Sequence, residues 1–223
     1  TLKIPKLDDE ARQHPESLLN LYDADIAHAD GVFADVLAEL GDAGVIVTAD
    51  HGEEFDDHGY FEHGHHVWQA LVHVPMLVRA PGVKDDPRTI DAAASIADVF
   101  PTVLDWAHID AGDVDGKVLD PDRLDSWGGR RVWLENPYAG PERTGYRLGY
   151  QKVVYTHPVG WLDACVNESR DPLNNGKPRK SSSPAEEVKY PIEAGGVVYD
   201  IETDAAEQQP RALTPTDPLL API

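Results

Sequence analysis

The sequence predicts an α/β fold: a mostly parallel sheet with flanking helices, followed by a small C-terminal antiparallel sheet. Three observations point there. Val45-Ile46-Val47-Thr48-Ala49 and Pro75-Met76-Leu77-Val78-Arg79-Ala80 are short apolar runs without alternation, the pattern of strands covered on both faces. Helical apolar spacing stands on either side of them. Beyond Asp110 the character changes, and strand-like segments appear at Tyr146–Tyr155 and Gly195–Ile201. Residues 1–110 therefore read as the α/β part and 111–223 as a C-terminal subdomain.

Each element has its own signal. Thr1 to Asn20 is polar, with Pro5 and Pro15, and reads as a leading loop. From Tyr22 to Leu40, Ile26, Asp30, Phe33, Val36, Leu37 and Leu40 share one helical stripe that Gly41 and Gly44 terminate. The first strand runs straight into Asp50-His51-Gly52-Glu53, and Pro81-Gly82 closes the second as a turn. Ser95 is a plausible N-cap for a helix carrying Ile96, Val99, Phe100, Val103, Leu104 and Ala107, which Pro101 either kinks or restarts. Gly149 falls at or near a turn, and residues 174–187 (NNGKPRKSSSPAEE) read as a mobile loop because apolar residues are scarce. Its cluster Lys177, Arg179 and Lys180 reads first as solvated charge, and second as a phosphate or partner contact.

With 223 residues, 41% of them hydrophobic, the chain can build one sizeable core. No apolar stretch approaches the roughly 20 residues of a membrane span. Nineteen Lys and Arg face 40 Asp and Glu, a net charge of -21 that repels nucleic acid and anionic membranes. The acids are scattered along the whole chain, which favours a halophile-like acidic surface over a dedicated cation-binding face. Such a field also repels an anionic substrate unless a metal or local cations reverse its sign. Cys165 is alone, so no internal disulfide forms, in agreement with a cytoplasmic protein.

The chemistry gathers after the first strand. Ligands of open α/β sheets bind beyond the carboxyl ends of the strands, where Asp50 and His51 stand. A carboxylate and an imidazole side by side suit a divalent cation. An Asp-His pair alone is a weak signal, and a solvated acidic loop would account for Asp56, Asp57 and Glu62. The histidines speak against that account: five of the ten (His51, His58, His63, His65 and His66) fall within this short span.

Val-Thr-Ala-Asp50-His51-Gly-Glu, the Gly/His loop through His63-Gly64-His65, and Val67-Trp-Gln-Ala-Leu-Val-His73-Val-Pro75-Met-Leu-Val-Arg79-Ala-Pro81-Gly82 together resemble the second conserved block of the sulfatase family, within the alkaline phosphatase superfamily. Further blocks follow in register: Tyr22-Asp-Ala-Asp25 upstream, then Asp98-Val-Phe-Pro101-Thr102, Asp115-Gly116, Tyr146-Arg-Leu-Gly-Tyr-Gln-Lys152 and Val198-Tyr199-Asp200-Ile-Glu-Thr-Asp204-Ala-Ala-Glu207 downstream. The resemblance implies part of an alkaline-phosphatase-like sheet and a metal-dependent sulfuric ester hydrolase. It makes Asp50 and His51 ligands of a divalent metal, most often calcium, with manganese or zinc as alternatives. His65 becomes the histidine beside the substrate's oxyanion or leaving group, and the expected substrate is a small-molecule sulfate or phosphate ester. A phosphodiesterase, phosphonate hydrolase or phosphoglycerol transferase of the same superfamily is the nearest alternative; a non-catalytic fragment is the third.

Two departures stand out. Gly64 occupies the place where many sulfatases have Lys before that histidine, so His63 is expected to compensate. The nucleophile motif is also missing: formylglycine formation needs Cys followed by Pro or Ala two residues on and Arg two further, whereas Cys165 precedes Val-Asn-Glu-Ser. The family's first metal-binding Asp pair has no counterpart either, since Asp8-Asp9 precedes no strand-like run. The expectation is the C-terminal portion of a sulfatase, inactive by itself, with uncovered apolar surface on its strands.

Overall fold

The computed structural model describes residues 13–64, 66–83, 87–120, 129–136, 143–157 and 195–220. Helix α1 (Pro15–Glu39) starts with Pro15, where no intrahelical N–H is needed, and stops before Gly41, whose φ of 54° lies in the left-handed region. Val45–Thr48 forms β1, the pair Glu54–Phe55 and Phe61–Glu62 a short hairpin (β2, β3), Gln69–Val72 a single helical turn (α2), and Met76–Arg79 β4. A 3-10 turn at Ile96–Asp98 passes into α3 (Val99–Trp106). Ser95 caps it as the spacing predicts: its side chain accepts from the Ala97 amide, while Asp98 reaches back to the Ser95 amide. Pro101 marks a restart rather than a kink, because it falls in the first turn of the α-helical segment.

The sheets correct one expectation. β1 and β4 are neighbours, yet they run antiparallel, with Val45 opposite Arg79 and Thr48 opposite Met76. Every strand pairing among the described residues is antiparallel, so the mostly parallel sheet is not found. An apolar run without alternation reports only that two faces can be covered. Direction is set by the connection, and here the link from Ala49 to Pro75 folds through the hairpin and α2 to bring the chain back the opposite way. Nor are the faces closed. Leu77 is 60% exposed, and α1 buries none of its residues, leaving Leu21 66% and Ile26 53% exposed.

The C-terminal antiparallel sheet is larger than the two segments expected. Arg131–Asn136 (β5), Arg143–Leu148 (β6), Gln151–Thr156 (β7), Gly195–Asp200 (β8) and Arg211–Ala212 (β9) pair in sequence order. Alternation gives it two different faces. One packs Tyr146, Val153 and Val198 under Leu213 and Leu219 of the tail. The other sets Val154 and Tyr199 against Val67 and Val72, beside the His-rich loop. The segment 174–187 and its basic cluster lie outside the described residues, as does Cys165.

Two buried carboxylates tie distant segments together. Asp98, fully buried, receives a two-pronged contact from Arg130 (2.8 and 2.6 Å) and accepts the Lys117 amide at 2.8 Å. Glu54 is buried under the hairpin, where His58 Nδ1 donates to its carboxylate at 2.5 Å and His58 Nε2 donates to the Ala206 carbonyl at 2.9 Å. With an acceptor at each ring nitrogen, His58 is held as the imidazolium. Burial works against that charge, but the Glu54 carboxylate outweighs it and raises His58 above its usual 6.5.

Asp98→Ala removes the buried carboxylate that receives the Arg130 guanidinium and the Ser95 and Lys117 amides, and is expected to cost about 3–5 kcal/mol in a urea melt. The His58 contact has a definite pH sign. Below about 6.5 folded and unfolded imidazoles are both charged and its stabilisation is complete; it is lost as pH rises through the raised folded value. The melting-temperature advantage of wild type over His58→Gln should therefore shrink as pH rises above neutral, and an advantage that grew with pH would contradict the assignment.

Candidate active site

The turn after β1 needs a glycine at its third position. Gly52 donates its amide to the Leu71 carbonyl at 2.8 Å, and a Cβ built there would lie 1.9 Å from the Ala70 oxygen. No side chain fits such a close approach. The turn of Asp50-His51-Gly52 is thus fastened to α2. Asp50 Oδ1 accepts the His51 amide at 3.0 Å, and His51 Nδ1 donates to the Gly52 carbonyl at 2.8 Å. With Nδ1 protonated, the lone pair of the neutral ring is on Nε2, 3.8 Å from Asp50 Oδ2. The sequence-predicted ligand atoms therefore face the same space, in the tautomer a metal needs.

His63 joins them. Its ring stacks on His51 with centroids 3.9 Å apart, and its Nδ1 contacts the Glu53 carboxylate at 3.2 and 3.3 Å. Gly64, at φ 84°, turns the chain immediately afterwards. His65 lies outside the described residues. His66 and His58, which the sequence only counted, each stack on Trp68 at 3.6 and 3.9 Å, with rings nearly coplanar in direction. Asp50 and His51 supply two donors; among the described residues no group of three or more His, Cys, Asp or Glu converges as a complete cage.

The sequence missed what supports α2. Lys152 of β7 and Glu207 are both fully buried and paired at 2.7 Å. Lys152 also donates to the Val67 carbonyl and, at 3.4 Å, to Gln69 Oε1, while Glu207 accepts the Gln69 amide at 2.5 Å. Burial lowers the Lys152 pKa and Glu207 opposes the shift. Burial likewise raises Tyr199, with Glu207 adding to it, and lowers Arg143. Glu207 adopts φ 52°, a conformation uncommon outside glycine, and this backbone delivers its carboxylate. The one available signal was a lysine placed beside Val153-Val154 in a strand pattern.

A cavity of about 600 Å³ opens at Asp50, His51, Gly64 and His66, and runs to the sheet at Val132, Asn136 and Arg147. That volume suits a small organic molecule. The site thus offers a pair of metal-type donors, a stacked histidine pair and room for a small organic molecule.

Comparison with known proteins accords with this chemistry. Residues 4–109 match the sulfatase family model. Arylsulfatase K of Gallus gallus is 29% identical over 104 residues, covering 44% of this chain and 19% of its own length. Arylsulfatase K of Mus musculus is 40% identical over 65 residues, or 29% of this chain and 11% of that one. The chain therefore matches about a fifth or less of the length of these relatives. A solved structure described as bound to its substrate D-glucosamine-2-N,6-O-disulfate aligns with a TM-score of 0.49 and 18% identity, over 79% of this chain and 32% of that one. Through residues 4–109, a little under half of its length, the chain is similar to the sulfatase family.

Proposed function

We propose that this chain contributes the metal-binding turn and the histidine side of a sulfate ester hydrolase site. The observation that carries the reading is the turn itself: within the family-matching residues, Asp50 Oδ2 and His51 Nε2 face one space, and the Gly52 carbonyl holds His51 in the ligating tautomer. A divalent cation, calcium by family preference, would be held by Asp50 and His51 together with ligands from elsewhere, and supplies charge neutralisation of the sulfuryl oxygens. His63, stacked on His51, and His65, the family-matching histidine two residues on in sequence, are the proton-transfer candidates. In this reading they bind the ester oxygens or return a proton to the leaving alcohol, in the manner of general acids near neutral pH. The attacking group comes from outside these 223 residues, because Cys165 lacks the surroundings that formylglycine formation requires.

The reading makes two checks available. Titration with calcium, followed by calorimetry or by terbium luminescence, should show binding that Asp50→Ala and His51→Ala each weaken by at least about tenfold, the usual scale of a lost ligand. Unchanged affinity in both variants would remove the metal assignment. The chain assayed alone against an aryl sulfate should give no turnover, since hydrolysis needs the absent nucleophile. Calcium-dependent turnover would place the nucleophile inside this sequence after all.

A further inference from the structure

The cavity has an end that the metal turn does not use. Its far wall is β5 and β6, where Val132 stands directly opposite Arg147 on the face turned towards the His-rich loop. Among the described lining residues Arg147 is the only Lys or Arg. Its placement is fixed: Nε donates to the Gly149 carbonyl at 2.8 Å, across a turn that Gly149 makes possible with φ 58°. Its two terminal nitrogens donate to no acceptor among the described residues. The neighbouring charges leave it uncancelled. Lys152, its cross-strand partner, pairs with Glu207, and Glu135, which also borders the cavity, pairs with Thr144 rather than Arg147 and alternates with Leu134 and Asn136.

A guanidinium held at Nε and open at its two terminal nitrogens is a ready fork for a carboxylate or a sulfuryl group. In a chain of net charge -21 such a cation has a large effect, since the surrounding field otherwise repels an anion. We propose that Arg147 binds a second negatively charged group, carried on the alcohol portion of the ester, so that the site prefers dianionic over monoanionic sulfate esters. This rests on the sulfate ester reading for the first anion, at Asp50 and His51, and adds a residue for the second.

Three probes separate the possibilities, each titrated calorimetrically into the chain with calcium present: phenyl sulfate, 4-carboxyphenyl sulfate, and terephthalate, which has no sulfate. Wild type should bind the carboxylated ester about tenfold more tightly than phenyl sulfate, the scale of one charge-assisted contact. Arg147→Gln should abolish that preference and the binding of terephthalate, while leaving phenyl sulfate unchanged. Arg147→Lys, which keeps the charge without the fork and preserves packing, should retain part of the preference. Equal weakening of all three probes in Arg147→Gln would overturn the inference by assigning Arg147 to the scissile sulfate, and so would terephthalate binding that ignores the substitution. If phenyl sulfate does not bind while terephthalate binds only with Arg147 present, the inference stands and the sulfate ester reading fails. Failure of every probe to bind overturns both.

Discussion

Lys152 and Glu207 leave water together in this chain, and the geometry of the candidate site descends from that contact. Burying an ammonium and a carboxylate costs several kcal/mol for each ion, which attraction offsets only where the remaining hydrogen-bonding positions are also filled. Here they are. The ammonium has three donors and meets the Glu207 carboxylate, the Val67 carbonyl and the Gln69 amide oxygen. The other Glu207 oxygen takes the Gln69 amide, so the pair grips the chain on both sides of Trp68. The grip fixes where α2 begins, α2 fixes the Leu71 carbonyl, and that carbonyl holds Gly52. Three steps separate a strand of the C-terminal sheet from the two metal-type donors.

The same device recurs. Asp98 with Arg130 joins segments far apart in sequence, and Glu54 holds His58 within the hairpin so that the imidazole's other nitrogen reaches Ala206 of the tail. A chain with twice as many acids as basic side chains thus places several of its few cations inside, against acids that must not be left unpaired. Buried pairs of this kind add less stability than an apolar core of equal volume, but they tolerate few alternative arrangements. That suits a function requiring a turn in one geometry. The apolar surfaces show the opposite character: α1 and the β1–β4 pair remain largely open, and two small clusters hold most of the buried apolar side chains among the described residues.

How far the sequence could be read follows from this division. The strands after Gly44 and His73 were legible because β-branched runs are local signals, and Ser95 was legible as an N-cap, whereas its reciprocal partner Asp98 was not. Their antiparallel pairing was not, since direction depends on the path between them. Asp50, His51 and His63 could be picked out because histidines crowd one span, and the structure brings those three together. Lys152 and Glu207 were hidden for a physical reason: in so acidic a chain each carboxylate resembles solvated surface, and partners 55 positions apart (152 to 207) leave no local spacing to notice. β5 was missed although Gly128-Gly129 signal a turn before it, because its mixed polar and apolar residues (RVWLEN) gave no buried run; it nevertheless lines the cavity.

The reach of the Glu207 contact bears on the order in which the protein comes into being. Synthesis delivers Asp50 and His51 early, and β1 with β4 can pair as soon as Arg79 is available. The carboxylate that seats Gln69 arrives 138 residues after Gln69 itself. Until then α2 lacks its anchor, and the turn it supports is free to wander among other conformations. The turn of Asp50 and His51 therefore takes its final geometry only once the chain carrying Glu207 has packed against it.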